Sequence, residues 1–243
     1  MLEHLELMRL EYLKGAAQLG KDKAQYELGL CYESGQGLDL DLEQAIYWFN
    51  EAATAGYGDA QVALGKCHYE GKGVAVDKRN AVFWFERASK KKHPVAMLRM
   101  GQAHYYRDGT YRDVSQAFYY FYEAAAAGNS LGKFYLGQCY ELGHGIKQSG
   151  KIALKWYQEA ATEGISLAQH ALGRCYFEGI GTHIDLTEGV AWFEKAAKQG
   201  DFDSQRKLAE CYYEGHGIPM DYEQAAYWIQ KALAQKGSAE AEI

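Results

Sequence analysis

Apolar and polar positions along this 243-residue chain follow a pattern that returns at fixed intervals. Residues 28–37 read "LGLCYESGQG", and the same arrangement recurs at 64–73 ("LGKCHYEGKG"), 100–109 ("MGQAHYYRDG"), 136–145 ("LGQCYELGHG"), 172–181 ("LGRCYFEGIG") and 208–217 ("LAECYYEGHG"). The step is 36 residues each time, without insertion. Self-similarity at such a period marks an architecture in which each repeat buries its apolar face on its neighbours, because one repeat alone cannot.

Within a repeat the pattern predicts two helices. Ala24, Leu28, Cys31 and Tyr32 fall at i, i+4, i+7 and i+8, one apolar stripe of a 3.6-residue period. The glycines at 35 and 37 then break the helix and permit left-handed turn angles. A second helix opens at Asp41, Asp77, Asp113, Ser149, Asp185 and Asp221, all able to accept bonds from free amides at an N-cap. Gln44, Gln116, Glu188 and Gln224 stand three residues further on, the spacing of a reciprocal capping box. The inner face of this helix carries Ala45, Trp48 and Ala52, and the ring recurs at Trp84, Tyr120, Trp156, Trp192 and Trp228, where it is expected to fill the space between layers.

These periods give an all-α solenoid, read as one continuous array. A half-repeat at 1–20 matches a second helix; full repeats follow at 21–56, 57–92, 93–128, 129–164, 165–200 and 201–236, with a tail at 237–243. The pattern A-x3-LG-x2-Y-x2-G-x-G, then D-x3-A-x2-W-x3-A-A-x2-G, resembles the Sel1-like repeat, a relative of the tetratricopeptide repeat. Arg107 replaces the first turn glycine of the third repeat, and Ala209 the helix glycine of the sixth. The resemblance implies an α/α right-handed superhelix of about six 36-residue helix-turn-helix repeats. It also implies a non-enzymatic scaffold or adaptor that binds a peptide or protein partner through a concave groove, in a bacterial signalling, envelope or host-interaction role. Two other readings accompany it: a hydrolase of cell-wall precursors or β-lactams, raised by activity claims in part of the family, and a structural spacer within a longer modular protein.

Charge narrows the partners. With 26 Lys and Arg against 32 Asp and Glu, a net charge of −6 offers no basic field for phosphates, so no nucleic acid partner is expected. No apolar stretch reaches the length of a membrane span. The opening "MLEHLELMRLEYL" lacks the basic segment and apolar core of a secretory signal, so the chain as given is expected to be cytoplasmic, or exported if a signal was removed. Open solenoid ends leave room for homo-oligomers.

The residues that look like chemistry fall into the repeat. Cys31, Cys67, Cys139, Cys175 and Cys211 hold one position in five repeats, roughly 8 to 10 Å apart if helices pack normally, too far for a disulfide. They read as small buried hydrophobes. His68 and His104 occupy a packing position that is tyrosine elsewhere. "GIKQSGKI" (145–152) mimics a phosphate loop but ends in Ile152 and joins two helices, while "SKKK" (89–92) has the S-x2-K spacing without partner motifs. No metal-ligand spacing occurs, so no catalytic residue, metal or cofactor is expected.

Function is expected on the face that varies. At 100° per residue, a stripe on each first helix lies opposite the apolar one. The resemblance to tetratricopeptide-like superhelices implies that this stripe lines the concave groove, and along the array it offers Tyr26, Tyr69, Tyr105, Tyr106, Phe134, His170, Arg174, Phe177, Arg206 and Tyr213 as candidate partner-binding residues. Tyr69, Tyr105, Tyr106 and Phe134 read as an aromatic subsite; His170, Arg174 and Arg206 read as a basic one suited to a carboxylate. The alternative for any one of them is packing across adjacent first helices, with the arginines paired to neighbouring glutamates.

Overall fold

A computed structural model describes the backbone of residues 2–241 and the side chains of residues 8–235. It contains α1 (Leu2–Gln18), α2 (Asp22–Ser34), α3 (Leu42–Ala55), α4 (Gly58–Glu70), α5 (Lys78–Ser89), α6 (Pro94–Tyr106), α7 (Val114–Ala126), α8 (Ser130–Leu142), α9 (Gly150–Thr162), α10 (Ser166–Glu178), α11 (Leu186–Lys198), α12 (Phe202–Glu214) and α13 (Tyr222–Ala241), with no strand among the described residues. After α1 the helices form six pairs, an all-α repeat fold. The chain divides into an N-terminal body ending at Ala127 and a C-terminal body beginning at Gly128. Within each body, every first helix packs against its own second helix, and α2, α4, α6, α10 and α12 also pack against the helix before them.

The caps explain why the second helices start where they do. Asp41 accepts from the Gln44 amide at 3.0 Å, and Asp77, Asp113, Ser149, Asp185 and Asp221 do the same in later repeats. The return half of the capping box differs from expectation. Each cap's own amide donates to a main-chain carbonyl in the last turn of the preceding first helix, from Asp41 to Tyr32 through Asp221 to Tyr212, at 2.8–3.1 Å. Two orphan groups, a helix-end carbonyl and a cap amide, thus satisfy each other. Glu188 is used elsewhere, accepting from the Trp192 indole at 2.8 Å.

The turn glycines adopt left-handed angles, Gly35 at φ 71° and Gly37 at φ 74°. Arg107 holds the first of these positions at φ 63°, a region that costs a side chain about 1 kcal/mol or more. Glycine's greater unfolded freedom offsets part of that relief, so Arg107→Gly is expected to raise the melting temperature by about 1 to 2 °C in a thermal scan.

Packing bears out the tryptophan expectation and adds to it. Trp84 joins the cluster of Ala45, Phe49, Ala52 and Leu64 in the preceding layer, and Trp192 joins that of Ala153, Tyr157 and Leu172. The deepest ring, however, is one residue further along. Phe49, Phe85, Phe121, Tyr157 and Phe193 are almost wholly buried, whereas Trp48 is half-buried. Each deep ring lies on the helix glycine of its own pair: a Cβ on Gly29 would stand 2.6 Å from the Phe49 ring, and one on Gly65 2.6 Å from Phe85. The sixth repeat exchanges both partners, Ala209 for the glycine and Ile229 for the ring. Buried glutamines tie the layers: Gln25, Gln61, Gln169 and Gln205 donate to the carbonyls of Ala17, Ala53, Ala161 and Ala197 at 3.1–3.3 Å.

α13 continues to Ala241, past the last repeat and into the stretch 237–243. Gly56, Gly128, Gly164 and Gly200 reverse the chain after other second helices, with φ between 82° and 97°. Lys236 stands in that register, and no proline follows it as Pro94 follows Lys92, so nothing favours a stop.

Candidate functional site

In the N-terminal body the variable stripe runs along α2, α4 and α6. Tyr26 is half-buried, its ring 5.9 Å from Phe49 and 5.4 Å from Tyr57. Tyr69 donates its hydroxyl to Asp108 at 2.7 Å, and Lys78 donates to the other oxygen of the same carboxylate at 2.7 Å. Lys78 also lies 5.3 Å from the Tyr69 ring centre. These bonds, the Lys78 contact foremost, hold the Asp108 carboxyl below its ordinary pKa. Tyr105 and Tyr106 meet edge to face with centroids 4.9 Å apart, and Tyr106 is 54% exposed. Tyr69, Tyr106, Gln102, Arg99 and Asp108 line a pocket of about 130 Å³ together with Val82 and Phe85.

In the C-terminal body, Phe134 packs against Tyr135 at 5.2 Å and Tyr157 at 5.8 Å. His170, Arg174, Phe177 and Arg206 converge on one pocket of about 260 Å³. Their charges are answered locally: Arg174 pairs with Glu141 and, at 3.5 Å, with Glu178; Arg206 faces Asp203 at 3.7 Å. His170 meets the Ser204 hydroxyl at 2.8 Å, and burial, opposed by Asp201, pushes its pKa below the usual value. Lys207 sits 4.5 Å over the Phe177 ring. Tyr213 is largely exposed and lies edge-on to Tyr222 at 5.5 Å.

Helical counting gathers the stripe along each first helix but not the residues that neighbouring layers add to its pockets. Arg99, Lys78 and Asp108 lie outside the stripe's counting rule and enter because neighbouring layers stack. A second row was also missed: Tyr47, Phe83 and Tyr119, each about half exposed, recur at the 36-residue step on the second helices and lean edge-on against the aromatic that follows. Their register was visible in the sequence.

The motifs that mimicked catalysis have structural work. Ser89 donates its hydroxyl to the Glu86 carbonyl at 2.8 Å, and Ser149 caps α9. His104 stacks on Tyr120 at 5.8 Å with planes 8° apart. Among the described residues, no three of His, Cys, Asp and Glu gather as metal ligands. Burial pushes the thiols of Cys67 and Cys211 up to about 11 and those of Cys139 and Cys175 up to about 12. Because the thiolate is the reactive form, these four cysteines are expected to resist a thiol reagent in the folded protein while half-buried Cys31 labels first. Mass spectrometry before and after urea checks this; early labelling of Cys139 would contradict it.

Six segments, 22–57, 58–93, 94–129, 130–165, 166–201 and 202–236, match the profile of the Sel1 repeat. The chain belongs to the Sel1 repeat family. Sel1 repeat proteins are generally protein-interaction scaffolds and generally non-enzymatic. Among solved structures the chain is similar to c5321, a protective antigen present in uropathogenic Escherichia coli strains displaying an SLR fold, with 34% identity, a TM-score of 0.84 and 93% of this chain covered. It spans about half the length of that relative, 48%. A Sel1 repeat protein from Oxalobacter formigenes is 27% identical with a TM-score of 0.85, each chain covered to 95%. An immunity protein from Pseudomonas aeruginosa shares the fold at 16% identity and a TM-score of 0.55, covering 88% of this chain and 81% of its own. No curated protein sequence matches the chain. Among the described residues, no helix is long and apolar enough to cross a membrane.

Proposed function

We propose that this Sel1 repeat chain is a non-enzymatic adaptor that takes a peptide or protein partner along the groove lined by its first helices. The observation that carries the reading is the division of labour within each helix. Residues shared between repeats are buried, as Leu28, Leu64, Leu136, Leu172 and Leu208 are, while the positions that differ face open pockets with rings and charged groups. A surface of aromatic and guanidinium groups on a rigid frame supplies much binding energy at small ordering cost. The setting we propose is bacterial signalling, the envelope or a host interface, supported by the likeness to an Escherichia coli protective antigen.

The test is affinity capture from the source cell with the original chain and a Tyr69→Ala, Tyr105→Ala, Arg174→Ala variant of unchanged helicity. The expected result is a partner held by the original and weakened about 10-fold or more by the variant, since hot-spot truncations cost about 2 kcal/mol each. Equal retention would overturn the groove reading and move the contact to the outer face or the ends.

A further inference from the structure

Arg99 carries a charge that its surroundings leave unanswered. Its Nη1 donates to Gln102 Oε1 at 3.1 Å, but its Nε is buried with no acceptor. Among the described residues, no carboxylate stands within ion-pair reach of it. Asp108, the one acid lining the same pocket, is already engaged by the Tyr69 hydroxyl and the Lys78 ammonium. Arg174 and Arg206 in the C-terminal body, by contrast, each face an acid.

Packing does not demand an arginine here. The same register holds Glu27, Ala63, Tyr135, Ala171 and Lys207, and Lys207 meets Glu210 at 2.8 Å. A half-buried guanidinium without a counter-charge is costly to keep, and most such groups are paired. Its cavity, of about 130 Å³, is lined by Tyr69 and Tyr106 together with the apolar Val82 and Phe85. A carboxylate entering there would accept from the Nη edge of the guanidinium, a charge-assisted hydrogen bond of the kind arginine makes strongly. Because the guanidinium is already partly stripped of water, little of that gain is lost to its desolvation.

We propose that this pocket is a carboxylate subsite: Arg99 receives an acidic group of the bound partner, and Tyr69 and Tyr106 flank the apolar part of the residue that bears it. The inference rests on the groove reading above and names the chemistry of one point along it.

Selection from a fully randomised peptide pool tests it, in one format with free C-terminal ends and in another tethered through them. The original chain, Arg99→Met and Arg99→Lys are used, each with its melting curve measured. On the original chain, enriched peptides are expected to carry Asp, Glu or a free terminal carboxylate at a fixed distance from an aromatic or apolar residue. Replacing that Glu by Gln, or amidating that terminus, should weaken binding about 10-fold to 100-fold, the range for a hydrogen bond to a charged group. Arg99→Met should abolish the acid preference, and Arg99→Lys, which keeps the charge without the guanidinium and serves if the methionine variant misfolds, should reduce it several-fold. Preference in both formats assigns a side-chain carboxylate; preference only with free ends assigns the chain terminus. Peptides enriched without acids, or an acid preference that survives both variants, would overturn the subsite while leaving the groove reading intact. No enrichment in either format would overturn the two together.

Discussion

Phe49→Ala is expected to lower stability by about 3 to 5 kcal/mol, the largest loss from any single side-chain truncation proposed for this chain. The ring is 0% exposed and lies among Ala45, Ala52, Ala53, Ala60 and Leu64, all buried. Its opposite face rests on Gly29, where a Cβ would stand only 2.6 Å from the ring. Removing it leaves a void, and the four alanines and the glycine on its walls have no side chain to swing into the gap. Trp48→Ala is expected to cost less, because that ring is half-buried at the flank of the neighbouring layer. Urea unfolding followed by helical circular dichroism reads both midpoints; a greater loss for Trp48→Ala would contradict this account of the core. A binding effect should follow as well, since Tyr26 leans on Phe49 at 5.9 Å and would lose its backing.

The period made the helices, caps and turns legible, because each depends on residues within one turn of one another. The identity of the deepest ring was not, and Trp48 and Phe49 show why. Both flank the stripe set by Ala45 and Ala52, so helical spacing alone does not choose between them. The deciding signal was the pairing of a helix glycine with the ring at 49, 85, 121, 157 or 193, and the joint switch to Ala209 and Ile229 in the sixth repeat. The candidate site divides in the same way. Angular counting finds Tyr69, Tyr106 and Arg174, since a stripe is a property of one helix. The partners of Tyr69 and Arg174 depend on how layers are offset: Asp108 follows Tyr69 by 39 residues, and Glu141 precedes Arg174 by 33. These separations bracket one repeat length, so contacts across a layer could have been sought there. Arg99 lies in a register that belongs to neither the stripe nor the apolar face, so angular counting does not find it.

Gly109→Ala is expected to cost about 3 kcal/mol or more and to weaken partner binding through the same displacement. Two turn glycines precede each second helix, and the chain treats them differently. The first is replaced once, by Arg107 at φ 63°. A side chain there meets mainly the flexible residue five places on, as Gly71 would meet Val76 at 2.7 Å. The second is glycine at 37, 73, 109, 145, 181 and 217. At Gly109, φ is 73°, and an added Cβ would fall 2.2 Å from the Lys78 carbonyl oxygen and 2.6 Å from its carbon. Neither atom can rotate away, because both belong to the first turn of α5, which Asp77 caps. The turn itself must move, and it carries Asp108. That carboxylate would then leave Tyr69 and Lys78, opening the wall of the Arg99 pocket. Chemical denaturation of Gly109→Ala and Arg107→Gly thus gives opposite signs two residues apart in one turn. A Gly109→Ala protein as stable as the original, with partner affinity unchanged, would show that the turn tolerates the shift and does not position the pocket.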